Sequence, residues 1–185
     1  MEEALLVVEN SLRHRAAGRA TNRPRERVVG GPDVQVNTML AADYELGIHG
    51  FKTYTLASGV YRFFVYLYDS ESADLLAIIE ANRMGQLRTG AATGVATNLM
   101  ARADATDIGI LGSGFQAPTQ LEAVCRVRDI RHVRVHSATP ANRERFAVEM
   151  SQSLGIEVTP VSSNREAVEG ADIVITITSS REPVL

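Results

Sequence analysis

The chain is 185 residues long, 45% hydrophobic and 22% charged, with a formal net charge of −3 from 19 basic and 22 acidic residues. That length holds one domain or two small ones, with ample apolar content for a core. Charge so nearly balanced gives no electrostatic ground for a nucleic-acid partner or a membrane surface. Cys125 is the only cysteine, which excludes an internal disulfide and a multi-cysteine zinc site. His14, His49, His132 and His136 show no ligand spacing, so no metal site is expected. The start "MEEALLVVEN" is acidic with only a short apolar run, unlike a signal peptide, and no apolar stretch approaches membrane-spanning length. A reduced, cytoplasmic setting is the expectation.

Residues 3–17 read as an amphipathic helix, with Leu5, Val8 and Leu12 on one stripe and Gly18 as a stop. The basic run "RHRAAGRATNRPRER" (13–27) reads as a solvated face, with an anionic ligand as the alternative. Two prolines and a Gly-Gly pair make "RATNRPRERVVGGPD" a polar connector. Extended segments "VQVNTML" and "GIHGFKTYTL" follow, and then "YRFFVYLYD" and "ADLLAIIEA", separated by "SES", as a β-hairpin. From Asn82 to Ala101 the period becomes helical, with Met84, Leu87, Ala91, Val95 and Leu99 in register. The small residues of "RTGAATGVAT" point to close packing of this helix on another backbone.

Beyond residue 102 strands and helices alternate: "TDIGILG", "QAPTQLEAVCRVRD", "HVRVHS", "PANRERFAVEMSQSLG", "IEVTPV", "NREAVEG" and "ADIVITIT". Thr139 is placed as the N-cap of the second of these helices and Pro140 at its first position. Such alternation calls for a parallel sheet wound with helices, and places a domain boundary near residue 102.

"DIGILGSGFQA" (107–117) then gains meaning from its context. Gly112-Ser113-Gly114-Phe115-Gln116-Ala117 fits the glycine pattern of a dinucleotide-binding turn, between an apolar strand and a helix. Gly112 makes the tight turn, Gly114 lets a pyrophosphate approach the backbone, and Ala117 lets the helix lie close to the strand. The helix N-terminus offers free N–H groups and partial positive charge to phosphates. An ordinary strand-to-helix turn is the competing reading. The second strand ends in Ser137, Ala138 and Thr139 rather than in a carboxylate that would hold an unmodified ribose. Two hydroxyls there weigh toward NADP(H) over NAD(H), with Arg143 a turn further on.

Taken together, "GFKTYT", "IIEANRMGQLRTGAATGVAT", "ILGSGFQAPTQLEAV" and "ADIVITITSSREPVL" resemble the ornithine cyclodeaminase/mu-crystallin family over nearly the whole chain. The resemblance implies an α/β fold in which an α+β substrate and dimerisation domain (1–101) precedes the first half of a Rossmann-type parallel sheet (102–185). It implies a nicotinamide cofactor, NAD(H) or NADP(H), a small amino-acid or cyclic-imine substrate, and a homodimer in the full-length protein. Members of the family include cyclodeaminases (lyases), amino-acid dehydrogenases, imine reductases and ligand-binding mu-crystallins. A mu-crystallin-like binding protein and an inactive fragment are therefore the rival functions. Four Rossmann strands stand where the family has six, so the resemblance also implies a chain truncated at both ends, with a catalytic carboxylate beyond Leu185.

Site residues transfer by motif. Lys52 of "GFK" is implied to touch substrate and assist catalysis. Arg25 of the Pro-Arg pair is implied to hold the substrate carboxylate, with Arg27 as the alternative. Arg88 of "QLRTGAA" is implied to lie near both carboxylate and cofactor; a charge among small apolar neighbours also needs a partner. Gly112, Gly114, Phe115 and Gln116 match the dinucleotide turn, Ser137 and Thr139 the ribose end, and Thr178 and Ser179 the nicotinamide side.

Overall fold

Alternation of side chains between Val34 and Glu80 builds a twisted antiparallel sheet. The computed structural model describes residues 1–185, which form two compact units, residues 7–85 and residues 1–6 with 86–185. Packing thus divides the chain at residue 86, whereas the hydrophobic period changes near 102.

Helix α1 (Glu2–Ala16) starts in the second of these units and ends in the first, where Gly18 stops it with φ of +72°. Strands β1 (Ala20–Asn22), β2 (Glu26–Gly31), β3 (Val34–Asp43), β4 (Ile48–Ala57), β5 (Val60–Asp69) and β6 (Leu75–Glu80) follow. They run in the order β1-β3-β4-β5-β6, with β2 also on β3, and every pairing is antiparallel. The polar connector of the sequence analysis is a correction here, since it contains β1 and β2. Both are edge segments held by backbone hydrogen bonds to β3, so their side chains stay largely exposed and give no burial pattern to read. Pro24 lies between them, where no ladder N–H is needed.

The sheet has two unlike faces. Lys52, Tyr54, Asn37 and Phe63 share one, because Tyr54 is opposite both Asn37 and Phe63. Leu40, Phe51, Tyr66 and Ile78 form a cross-strand row on the other, with Phe51 and Tyr66 stacked at 4.6 Å.

In the other unit a four-stranded parallel sheet runs β10-β7-β8-β9, from β7 (Asp107–Leu111), β8 (His132–His136), β9 (Glu157–Pro160) and β10 (Ile173–Thr176). Helices α3 (Ala117–Cys125), α4 (Pro140–Leu154) and α5 (Asn164–Val168) connect its strands. Ile108, Ile110, Leu121, Val133, Val135 and Phe146 make its dry centre. Helix α2 (Asn82–Met100) packs here from Gln86 onward. Its buried stripe keeps Ala91 and Val95 of the predicted row, whose ends Met84 and Leu99 are exposed, and adds Gln86, Gly90, Gly94 and Thr97. The reason is contact distance. A side chain at Gly90 would collide with Thr119, and one at Gly94 with Leu5 and Ala123. Glycine there lets two helix backbones touch.

Candidate functional site

On the Lys52 face of the antiparallel sheet, aromatic rings carry the cations. Lys52 Nζ lies 4.8 Å from the centre of the Phe63 ring and 5.8 Å from that of Tyr54. The Arg25 guanidinium lies 5.5 Å from the same Tyr54 ring. The structure therefore brings Arg25 and Lys52 together about Tyr54, each within cation–π range. Tyr54 is itself buried and packs on Phe63 at 4.9 Å. The two candidate arginines separate here. Arg27 donates from Nε to Asn37 Oδ1 at 3.1 Å, while Arg25 takes the aromatic position beside Lys52. Asn37 is fully buried, and its Nδ2 has no partner. The first turn of α2 also reaches this place, with Gly85 close to Lys52 Nζ.

The glycine turn follows β7. Gly112 has φ of +108°, its N–H donates to the His136 carbonyl at 2.8 Å, and a Cβ on it would strike the Ile177 carbonyl. No L side chain suits that position. Gly114 is the opposite case, exposed with nothing within 4 Å of a built Cβ, so its backbone is open to a ligand. Phe115 is exposed, and its carbonyl accepts from Gln86 Nε2. Gln116 is the N-cap residue of α3, and its side-chain Oε1 is buried without a partner. Thr119 Oγ1 donates to the carbonyls of Gln86 and Gln116 at 3.1 and 3.2 Å, which ties α2 to the turn.

A nicotinamide dinucleotide fits this cradle. The turn is open at Gly114, closed to side chains at Gly112, and leaves the Gln116 oxygen for a donor on the ligand. Ser113 and Ser137 hydroxyls meet at 2.9 Å, joining the turn to the end of β8. Thr139 caps α4 through its backbone position only; its side chain makes no capping hydrogen bond.

The remaining residues are more exposed. Arg88 projects from α2 into solvent, so the burial that would have demanded a protein partner is not there. Thr178 and Ser179 follow β10 on the surface, and Thr178 Oγ1 accepts from the Ser180 N–H at 3.0 Å. Among the described residues no three His, Cys, Asp or Glu side chains gather as a metal site, and no helix is long and apolar enough to cross a membrane. Cys125 is half-buried, and burial pushes its thiol up to about 12.

Tyr54, Phe63, Asn37 and Gln86 were missed as site residues. Tyr54 was within reach of the sequence, being two residues past Lys52 on a strand and so on the same face. Asn37 and Phe63 depend on strand register, and Gln86 on the helix contact; neither can be read from local pattern.

All 185 residues match the ornithine cyclodeaminase/mu-crystallin family. The chain belongs to that family. It is 36% identical over 120 residues, 65% of the chain and 37% of the relative, to Delta(1)-pyrroline-2-carboxylate reductase of Bacillus cereus. The solved structure of the Thermococcus litoralis Delta(1)-pyrroline-2-carboxylate reductase, in complex with NADH and L-proline, superposes with a TM-score of 0.93 at 36% identity, covering all of this chain and 59% of that one. An archaeal alanine dehydrogenase dimer with bound NAD gives 0.91 at 30% identity, covering all of this chain and 58% of that one. The chain thus spans well under two thirds of the length of these relatives. The family's nicotinamide-binding α/β fold, with one parallel and one antiparallel sheet, is the fold seen here.

Proposed function

We propose that this chain carries the substrate and dinucleotide sites of a nicotinamide-dependent imine reductase acting on a small cyclic 2-imino carboxylate or the corresponding amino acid. The observation that carries the reading is the meeting of Arg25 and Lys52 over Tyr54. Two cations held on one aromatic platform suit a carboxylate, which accepts hydrogen bonds from both and so is fixed in orientation. Reduction of the C=N bond adds a hydride to carbon and a proton to nitrogen, and a bound nicotinamide supplies the hydride. Lys52 Nζ and the Arg25 guanidinium hold the carboxylate so that the neighbouring carbon has one fixed position. Arg88, on the open surface of α2, is assigned to the cofactor and the substrate carboxylate. Gly112, Gly114, Phe115 and Gln116 are assigned to the pyrophosphate turn, Ser137 and Thr139 to the ribose, and Thr178 and Ser179 to the nicotinamide side.

The names of the similar proteins support reduction over lyase chemistry, since two of them are pyrroline-2-carboxylate reductases. A homodimer built on the Leu40–Phe51–Tyr66–Ile78 face and a cytoplasmic location belong to the same reading. Leu40 and Ile78, at the two ends of the row, are 49% and 55% exposed and flank the half-buried Phe51 and Tyr66, and an apolar row of this kind favours a covering partner. The deciding experiment is consumption of reduced nicotinamide with pyrroline-2-carboxylate, alongside titration of NADH and NADPH. A folded chain that binds neither dinucleotide would overturn the reading; binding without turnover of any imine or amino acid would favour a ligand-binding role.

A further inference from the structure

One side chain from outside the glycine turn reaches into it. Gln86 of α2 is buried, and its Nε2 donates to the Phe115 carbonyl within the turn. This link is separate from the one made by Thr119, whose hydroxyl bonds the backbone carbonyls of Gln86 and Gln116. Removing the amide of the Gln86 side chain therefore leaves the tie between α2 and α3 in place.

The bond fixes the direction of a peptide. In a trans peptide the C=O and the following N–H point opposite ways. With the Phe115 carbonyl held toward α2, the Gln116 N–H is turned away from α2. That N–H has no acceptor within the protein. The next two residues cannot stand in for it. The Ala117 N–H is spent on the Gly114 carbonyl at 3.0 Å, and Pro118 has no N–H. Across residues 116–118, at the start of α3, the Gln116 N–H is thus the only one left for an anion. If the peptide turned over, the Phe115 carbonyl would set its partial negative charge against a phosphate instead.

We infer that Gln86 is a positioning residue for the dinucleotide turn: by holding the Phe115 carbonyl it aims the Gln116 N–H at the cofactor's pyrophosphate. Gln86 acts through this peptide and not by touching the cofactor. The inference rests on the dinucleotide reading of the Gly112 turn and adds to it the side chain that keeps the turn in its anion-binding form.

The test is equilibrium titration of the 185-residue chain and its Gln86→Met variant with NADH, NADPH, ADP-ribose and adenosine. Methionine keeps the length of the side chain and removes its donor. The three ligands that carry a pyrophosphate are expected to bind about tenfold more weakly to the variant, the loss of one charge-assisted hydrogen bond. Adenosine, which has no phosphate, is expected to change by less than about twofold. A second measurement needs no variant: in the wild-type chain the Gln116 amide proton resonance is expected to move downfield with ADP-ribose and to stay in place with adenosine. Equal weakening of all four ligands in a folded variant, or unchanged binding of the three, overturns the inference and leaves the dinucleotide reading standing. So does a Gln116 amide that does not respond to bound ADP-ribose. If the folded wild-type chain binds none of the three pyrophosphate ligands, both readings fall.

Discussion

Gly90 of α2 lies against the Thr119 backbone of α3, with no room for a methyl group between them. A Cβ there would sit 2.6 Å from the Thr119 carbonyl carbon and 2.8 Å from its Cβ. Gly90→Ala therefore forces the helices apart, although alanine is the better helix former. Overpacking of this kind costs about 1–3 kcal/mol, against roughly 1 kcal/mol gained in helix propensity. Thermal unfolding is expected to show a net loss of stability. Because Thr119 also holds the Gln116 carbonyl, NADPH binding is expected to weaken as well.

The cations at Tyr54 give the second prediction. Lys52→Ala and Arg25→Ala each remove one donor from the proposed carboxylate site while leaving the sheet's backbone pairing unchanged. Loss of a desolvated charge contact is worth about 2–5 kcal/mol. In steady-state turnover of pyrroline-2-carboxylate, kcat/KM is expected to fall by the corresponding factor, with circular dichroism unaltered. Arg27→Ala, whose side chain is engaged by Asn37, is expected to have the smaller effect. Normal kinetics in both Lys52→Ala and Arg25→Ala would remove this site assignment.

Much of this was legible before any coordinates. The alternation in "GFKTYTL" placed Lys52 on a strand face, and the shift of period after residue 102 marked the parallel sheet of β7 to β10. The glycine turn was legible because each of its small residues answers to a local steric demand, as Gly112 does with its φ of +108°. What local pattern could not show depends on pairing between distant segments. β1 and β2 are defined by their backbone bonds to β3, and nothing in the polar "TNRPRER" signals them. Asn37 reaches the site only because register sets it opposite Tyr54. The predicted stripe kept Ala91 and Val95 but left out Gly90 and Gly94, because glycine scores low on an apolar scale, yet closeness as well as hydrophobicity decides which face of α2 is buried.

The apolar row of the antiparallel sheet gives the third prediction. Ile78 is 55% exposed at the end of the Leu40–Phe51–Tyr66–Ile78 row and fills no cavity in its own sheet. Ile78→Lys is therefore expected to leave the fold intact and to shift sedimentation equilibrium from dimer to monomer. A wild-type chain that remains monomeric at high concentration would remove the dimer from the proposal.

Arg128 is a stabilising residue hidden in an ordinary-looking turn. Its Nη2 donates to the carbonyls of Thr97, Asn98 and Ala101, and its Nε to that of Arg102. Of these carbonyls, at and just beyond the end of α2, those of Thr97 and Arg102 also accept from the Ala101 and Ala105 N–H groups, whereas those of Asn98 and Ala101 rely on Arg128. Arg128→Ala is expected to cost about 1–3 kcal/mol in chemical denaturation, chiefly through the Asn98 and Ala101 carbonyls losing their donor. Lysine, with a single ammonium, is expected to recover only part of this, because it cannot present donors in several fixed directions.

Asp172 couples the parallel sheet to pH. Its carboxylate accepts from the backbone N–H groups of Thr106 and Asp107 at 2.7 and 3.1 Å and pairs with Arg102. The bond from Thr106, foremost, and then those from Asp107 and Arg102, outweigh desolvation and hold the carboxyl below its ordinary value of 3.8. As pH falls, the unfolded chain takes up this proton before the folded one does. The stabilisation is therefore complete well above 3.8 and drains away as pH drops from there through the lower folded value. Asp43, Asp69 and Glu166 are lowered in the same direction, by bonds from His14, Ser72 and Ser162 respectively, so the acid limb is shared. The share due to Asp172 is isolated by Asp172→Asn. That variant is expected to be less stable at pH 7 and to approach the wild type as both are taken toward pH 3, with melting temperature as the measurement. A constant difference between the two across this range would show that Asp172 acts through geometry alone and not through its charge.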